Sequence, residues 1–296
     1  MTQTQTGTAA AKHQRRLLMV FGMSTLYLGV EVVGGIMTGS LALLADAGHM
    51  LTDVAGLGLA LLAIRFAARP ATPARTYGYY RAEILAALTN AVILICISLY
   101  ILYEAYQRFR TPPAVSSGGM LAVASVGLVV NLVGMRLLRD ASGESLNMKG
   151  AYFEVLSDML TSIGVIIAGL IMLTTGWYYA DPLISAGIGL FILPRTWKLL
   201  REATGVLLEG TPADVDIDAV RRTITALPGV AAVHDLHAWT LTSGTNALSA
   251  HIVAGAEANQ SDLLRTVHDG VTQAHGFAHV TVQVEPNTWE QQQTHA

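Results

Sequence analysis

The sequence predicts a membrane all-α domain of six transmembrane helices, followed by a small α+β domain of αββαβ, ferredoxin-like order. Three observations lead there. Only 13% of the 296 residues are charged while 52% are hydrophobic, and the mean hydropathy is +0.46; a soluble domain averages about a quarter charged. Six stretches are long enough to cross a bilayer, which takes roughly 20 apolar residues. After Leu208 the apolar character stops, and Pro212, Asp214, Asp216 and Asp218 open a segment patterned like a soluble domain.

Residues 1–14 read as a polar N-terminal tail. The apolar run behind it is too long for a signal peptide and reads as a first span. The spans fall at about 16–38, 41–66, 82–107, 116–138, 149–174 and 181–201, within a six-span transmembrane domain taken as 15–208. The second is interrupted by Asp46, His49 and Asp53, the fifth by Glu154 and Asp158. The lone cysteine, Cys96, lies in an apolar run. That excludes a disulfide framework and a cysteine-based zinc site.

Lysine and arginine placement orients the spans. The tail holds Lys12, Arg15 and Arg16, and loop 2–3 with its flanks holds Arg65, Arg69, Arg75 and Arg81. Loop 4–5 and its flanks hold Arg136, Arg139 and Lys149, and the end of span six holds Arg195, Lys198 and Arg201. On the other side, loops 1–2 and 5–6 carry none, and loop 3–4 carries Arg108 and Arg110. Both termini are therefore expected in the cytoplasm.

A sparse internal repeat supports a transporter plan. Ser40, Leu41, Leu51 and Asp53 recur at a constant offset as Ser145, Leu146, Leu156 and Asp158, with His49 falling on Glu154. Three spans per half makes the second copy run the opposite way, as in transporters whose binding site lies near the midplane. Each pair begins about nine residues into its span, roughly 14 Å at 1.5 Å per residue.

The segment 209–287 reads as a small cytoplasmic domain, with 288–296 a C-terminal tail. Ile217, Val220, Ile224 and Leu227 keep helical spacing up to Pro228-Gly229. Two strand-like runs follow, VAAVHDLHAWTLT and NALSAHIVA, joined at Ser243-Gly244; a helix over about 260–274 and the alternating strand AHVTVQVE complete the order. Fewer than 80 residues leave a thin core, which dimer packing would help.

The chemistry sits in the spans. His49 with Asp53, and Glu154 with Asp158, are each four residues apart, about one helical turn, so each pair shares a face. An ionisable group near the middle of a membrane helix costs roughly 2.5–3.5 kcal/mol and usually faces a cavity with a task. An isolated intramembrane Asp or His more often serves helix packing, but two pairs at matched positions argue for four ligands to one divalent metal. Imidazole and carboxylate suit Zn²⁺ and also serve Co²⁺, Cd²⁺ and Mn²⁺. Metal arrival would expel protons and metal departure would admit them, a basis for metal/proton antiport. Asp46 reads as an access-path ligand or a buried hydrogen-bond acceptor, the second favoured. Glu31, Asn90 and Asn131 read as interhelical hydrogen-bonding partners. Asp214, Asp216 and Asp218 depart from a calcium loop at Ala219 and Thr225, and suit the N-terminus of the following helix instead.

The segments SLALLADAGHMLTD, RTYGYYRAEILAA, GAYFEVLSDMLTSIGVI, LLEGTP and HDLHAWTLTSG resemble the cation diffusion facilitator family, and most nearly its bacterial cobalt–zinc–cadmium resistance efflux branch. The likeness covers about residues 16–286. It implies a homodimer in the bacterial inner membrane that exports divalent metal by alternating access driven by protons, with the transport site on His49, Asp53, Glu154 and Asp158. Zinc-selective members usually have His where this chain has Glu154, so looser discrimination among Zn²⁺, Co²⁺ and Cd²⁺ is expected. Loop 4–5 lacks the His-rich run of many relatives, and loop 2–3 lacks the His/Asp ligands of some, so no metal site is expected there.

The resemblance also implies regulatory metal in the cytoplasmic domain, with His234, His251 and Glu285 as candidates and Gln283 where some relatives have a His. In a regular strand His234 and His237 face opposite sides and cannot chelate together without a bulge; His234 with His251 on the neighbouring strand is easier. Exposed or core-edge histidines are the alternative. His268, His275 and His279 read as surface residues, with His279 able to join a site.

The expected function is proton-coupled export of Zn²⁺, with Co²⁺ and Cd²⁺, and no prosthetic group. The expected partners are metal ions, lipid and a second copy of the chain, without nucleic acid. A manganese or iron exporter of the same architecture is the alternative. An intramembrane metallohydrolase needs an open metal position and a general base, commonly on a HExxH helix; the chain has no HExxH, so no enzyme is expected. A metal sensor without transport is a third class.

Overall fold

The long apolar runs form α1 (Ala9–Thr38), α2 (Leu41–Ala67), α3 (Ala82–Arg110), α4 (Ser117–Arg139), α5 (Leu146–Thr175) and α6 (Ala180–Leu207). The structure is a computed structural model that describes residues 9–67, 70–139, 146–242 and 244–286. Among the described residues five stretches are long and apolar enough to cross a membrane: Leu18–Thr38, Ala82–Arg110, Ser117–Arg139, Ala151–Thr175 and Ala180–Leu207. α2 is the remaining long helix and carries His49 and Asp53. Two boundaries differ from expectation. α1 begins at Ala9, inside the stretch expected as tail, where Ala9–Lys12 are good helix formers. α6 runs past Arg201 to Leu207. The expected C-terminal tail and Ser243 lie outside the described residues.

The chain divides into two compact units. The first holds α1, α2 to Gly58, α3 from Thr89, α4, α5 and α6 to Lys198. Its core gathers Leu43, Leu94, Met120, Val165, Met172 and Ile188, among others, while Leu26, Met37, Val129 and Leu190 stay exposed, as lipid-facing side chains must. A Cβ at Gly127 of α4 would overlap the Tyr27 ring of α1. Glycine there lets the two helices approach closely, as small residues do in membrane interfaces.

The second unit comprises the remaining parts of α2, α3 and α6, the 70–81 connection and the C-terminal elements. These are α7 (Ile217–Thr225), β1 (Val230–Thr242), β2 (Thr245–Ala254), α8 (Gln260–His275) and β3 (His279–Glu285), in the αββαβ order expected. Asp216 caps α7 by accepting from the amides of Asp218 and Ala219. The sheet runs β1-β2-β3, with β1 antiparallel and β3 parallel to β2. On β2 the buried residues Leu248, Ala250, Ile252 and Ala254 alternate with Ser249, His251 and Val253. The buried set packs on Val220, Ile224, Leu263, Val267 and Val271 of the two helices, so His251 stands on the helix-free face. In the connection, Tyr77 makes an edge contact with His279 and Arg81 pairs with Glu209 at 2.8 Å.

Candidate metal centres

α2 and α5 carry their ligand pairs at the same helical positions, the ninth and thirteenth residue of each. A shared helix face brings each pair together locally; helix packing decides whether the pairs meet. They do. One ligand atom each from His49, Asp53 and Glu154 lies within 4.8 Å of the others. His49 Nδ1 is 3.8 Å from Asp53 Oδ2, and His49 Nε2 is 3.9 Å from Asp158 Oδ1. The imidazole therefore stands between two carboxylates, Asp53 on one ring edge and Asp158 on the other. Three of the four residues expected as ligands thus converge, and Asp158 faces His49 Nε2.

The donor set fits a dication. Both ring nitrogens of His49, Asp53 Oδ2 and Asp158 Oδ1 are buried without a hydrogen-bond partner. Each such atom costs roughly 1–3 kcal/mol, and a bilayer core has no water to offset it. Tetrahedral Zn²⁺ with bonds of about 2.0–2.1 Å would hold its ligand atoms about 3.3 Å apart, so small side-chain rotations close the set. With a metal on Nδ1, the Nε2 proton is free to bond Asp158, the arrangement by which outer carboxylates orient metal-binding histidines. A ring flip would instead hand Nε2 to the metal and leave Nδ1 outside.

Burial is lopsided. The His49 and Asp158 side chains are 5% and 8% exposed, against 34% for Asp53 and 27% for Glu154. The open side is thus towards the end of α2 and the start of α5. There Arg195 of α6 reaches in: Nη2 donates to Glu154 Oε2 at 2.8 Å and Nη1 to Oε1 at 3.2 Å. Sequence reasoning had counted Arg195 only as a charge flanking span six. Its place near the end of the expected span gave no signal, because its partner lies 41 residues away.

Several other buried polar residues of the first unit are held by protein partners, although the Ser98 hydroxyl has none among the described residues. Asp46 accepts from Thr161 at 2.6 Å, as a buried acceptor would. Tyr27 donates to Glu31 at 3.1 Å, Asn131 to Ser162 at 3.4 Å, and Asn90 to the Thr52 carbonyl at 3.2 Å. At the far end from the open side, Asp181 of α6 is fully buried. Its carboxylate accepts from Ser40 Oγ (2.7 Å) and from the amides of Leu41 (2.9 Å) and Ala42 (3.1 Å), capping α2, and lies 3.4 Å from Arg108 Nη1. Arg108 also donates to the Gly39 carbonyl at 2.6 Å, where the chain turns with φ +71°. Sequence reading passes over Asp181 and counts Arg108 only as a loop charge, because each looks like an ordinary loop flank.

In the second unit, His234 and His251 are direct cross-strand partners. Glu285 lies between them, 2.9 Å from His234 Nε2 and 3.1 Å from His251 Nδ1. The three form a second group that could hold a metal. His251 Nδ1 nonetheless lacks a partner with hydrogen-bond geometry among the described residues. Gln283 donates to Glu285 Oε1 at 2.9 Å and acts as a brace for the carboxylate. The strand is not regular here. Its register shifts between His234 and His237, and Asp235 takes a left-handed φ of +49°. The bulge puts His237 on the same face as His234, since its partner Ser249 shares a face with His251. His237 nevertheless turns to Asp235, 3.0 Å away, and stays out of the group. His279 meets Tyr77, His268 meets Asp269, and His275 is half-buried against Thr223 rather than on the surface.

Comparison with known proteins follows this division. Residues 17–208 match the family described as cation efflux transmembrane domain, and 212–287 the cation efflux protein cytoplasmic domain. The chain is 48% identical over 280 residues to the metal cation efflux system protein CzcD of Cupriavidus metallidurans, covering 94% of this chain and 89% of that one. It is 42% identical over 278 residues to the cadmium, cobalt and zinc/H⁺-K⁺ antiporter of Bacillus subtilis, covering 92% and 89%. A solved metal-bound C-terminal domain of the Cupriavidus CzcD transporter is 38% identical and covers 24% of this chain and 99% of that one, at a TM-score of 0.23.

Proposed function

The chain belongs to the cation efflux family, the cation diffusion facilitators, and from that premise we propose that it exports Zn²⁺, Co²⁺ and Cd²⁺ from the cytoplasm in exchange for protons. The observation that carries this reading is the convergence of His49, Asp53 and Glu154, with Asp158 on the other ring edge, midway along two apolar helices. The Bacillus subtilis relative is named for cadmium, cobalt and zinc with protons and potassium, which does not favour manganese or iron export. We read the chain as a transporter rather than an enzyme: the residues around the ion are ligands, and the metal is cargo.

The lysine and arginine pattern supports cytoplasmic termini, and we take the membrane to be a bacterial inner membrane. In that orientation the exposed ligands, Asp53 and Glu154, are the ones nearest the cytoplasm, and the Asp181–Ser40–Arg108 cluster closes the outer end. This is a loading state. Metal arrives at Asp53 and Glu154, displaces protons from the carboxylates and is drawn onto His49. Release outside requires the Asp181 cluster to part. The helix-free sheet face, with His234, His251 and Glu285, suits pairing with a second copy of the chain, and metal there would tighten that pairing.

The test is metal-dependent proton flux in proteoliposomes with Zn²⁺, Co²⁺, Cd²⁺ and Mn²⁺ compared. Coupled flux with the first three is expected, lost in Asp53→Ala and Asp158→Ala. Flux that survives both changes, or appears with Mn²⁺ alone, would reject the assignment.

A further inference from the structure

We propose that Arg195 is a tethered cation that competes with the metal for Glu154, so that loading is an exchange: the ion takes the carboxylate as the guanidinium withdraws, and the guanidinium returns as the ion leaves. The proposal deepens the transport reading above and rests on it.

The geometry is that of a fork. Two guanidinium nitrogens meet the two oxygens of one carboxylate, at 2.8 and 3.2 Å, the bidentate arrangement that makes such pairs strong and directional. Glu154 is also one of the three residues whose ligand atoms converge on a point. Its in-plane lone pairs cannot serve the fork and the metal in full together. An arginine near the end of a span ordinarily anchors at the lipid headgroups. This one instead turns its charge onto a ligand.

The surroundings allow it to leave. The Arg195 side chain is 65% exposed while that of Glu154 is 27% exposed, so the guanidinium comes from the open side and can withdraw without disturbing the core. Pro194, the preceding residue, removes one backbone hydrogen bond of α6 at this level and loosens the helix beside it.

Charge gives the exchange its purpose. Three carboxylates, one guanidinium and one dication sum to zero, so a loaded site that keeps Arg195 at its mouth carries no net formal charge. Uncompensated charge is what a low-dielectric path penalises.

The test uses the full-length protein in proteoliposomes at fixed pH, with Zn²⁺ as the only metal. Uptake kinetics give KM and kcat, and Zn²⁺ titration of the detergent-purified protein gives an apparent Kd. Arg195→Gln is expected to lower KM and Kd by roughly three- to tenfold, the scale of a partly exposed fork, and to lower kcat. Arg195→Lys keeps the charge but not the fork and should fall between. In a Glu154→Gln background, Arg195→Gln should leave Kd unchanged, because the residue through which it acts is gone. A purely structural arginine would lower kcat or yield without tightening Zn²⁺ binding. Unchanged or weaker binding in Arg195→Gln overturns the exchange; should that variant not accumulate, unchanged binding in Arg195→Lys overturns it equally. No Zn²⁺ uptake by the unaltered protein would refute the transport reading instead, and the titration would still judge the competition.

Discussion

Replacing Asp181 with alanine should unlatch the outer end of the bundle. The carboxylate is fully buried and holds the Ser40 hydroxyl, the first two amides of α2 and one Arg108 nitrogen. Its removal strands two helix N-terminal amides and leaves a half-buried guanidinium with only Glu104 and the Gly39 carbonyl. Breaking a buried charge pair costs about 3–5 kcal/mol, and hydrogen bonds to charged acceptors about 1.5–3 kcal/mol each without adding fully. A total of about 3–5 kcal/mol is therefore expected for Asp181→Ala. Asp181→Asn, which keeps one acceptor oxygen, should cost about 1–3 kcal/mol. At roughly 2–4 °C per kcal/mol for a chain of this size, the alanine variant should melt about 6–20 °C lower. The assay is thermal unfolding of the purified protein in detergent at matched protein concentration and scan rate. A fall of less than about 2 °C would mean that water or another residue satisfies Leu41, Ala42 and Arg108, and the latch would not exist.

Three further outcomes are expected. Glu154→His should sharpen selectivity, raising Zn²⁺ uptake relative to Co²⁺ and Cd²⁺ several-fold, because a neutral nitrogen replaces a hard anionic oxygen; competition uptake assays read this, and strict zinc selectivity already present in the unaltered protein would contradict it. Asp158→Asn should weaken Zn²⁺ binding by at least the roughly 10–100-fold typical of a lost outer carboxylate, measured by titration, whether Asp158 binds the ion or orients His49. In the cytoplasmic domain, Zn²⁺ at a hundredfold excess over Kd should stabilise the fold by about 2.7 kcal/mol. Glu285→Gln should abolish that rise in melting temperature, because the carboxylate between His234 and His251 is gone.

Much of this molecule was readable before its coordinates. Helices announce themselves through apolar length, and a four-residue interval puts His49 with Asp53, and Glu154 with Asp158, on one face whatever surrounds them. The αββαβ order was equally plain, since its strands alternate and its breaks carry Pro228-Gly229 and Gly244. The helix cap at Asp216 followed the same local logic. Arg195 was not readable in its present role. A charge near the end of a span looks alike whether it meets lipid or Glu154, and its partner lies 41 residues away. Asp181 failed in the same way, its partners lying 139 to 141 residues earlier. The bulge at Asp235 had no glycine to signal it.

The amino-acid order by itself determined which side chains share a face and what kind of donors each face offers, because helix and strand periods are set by bonds within a few residues. Only the tertiary arrangement decided that the imidazole stands between Asp53 and Asp158, that Arg195 pairs with Glu154, and that His237 stays out of the second cluster. Those facts depend on how separate elements cross and which rotamers their contacts permit, and no interval along the chain records either.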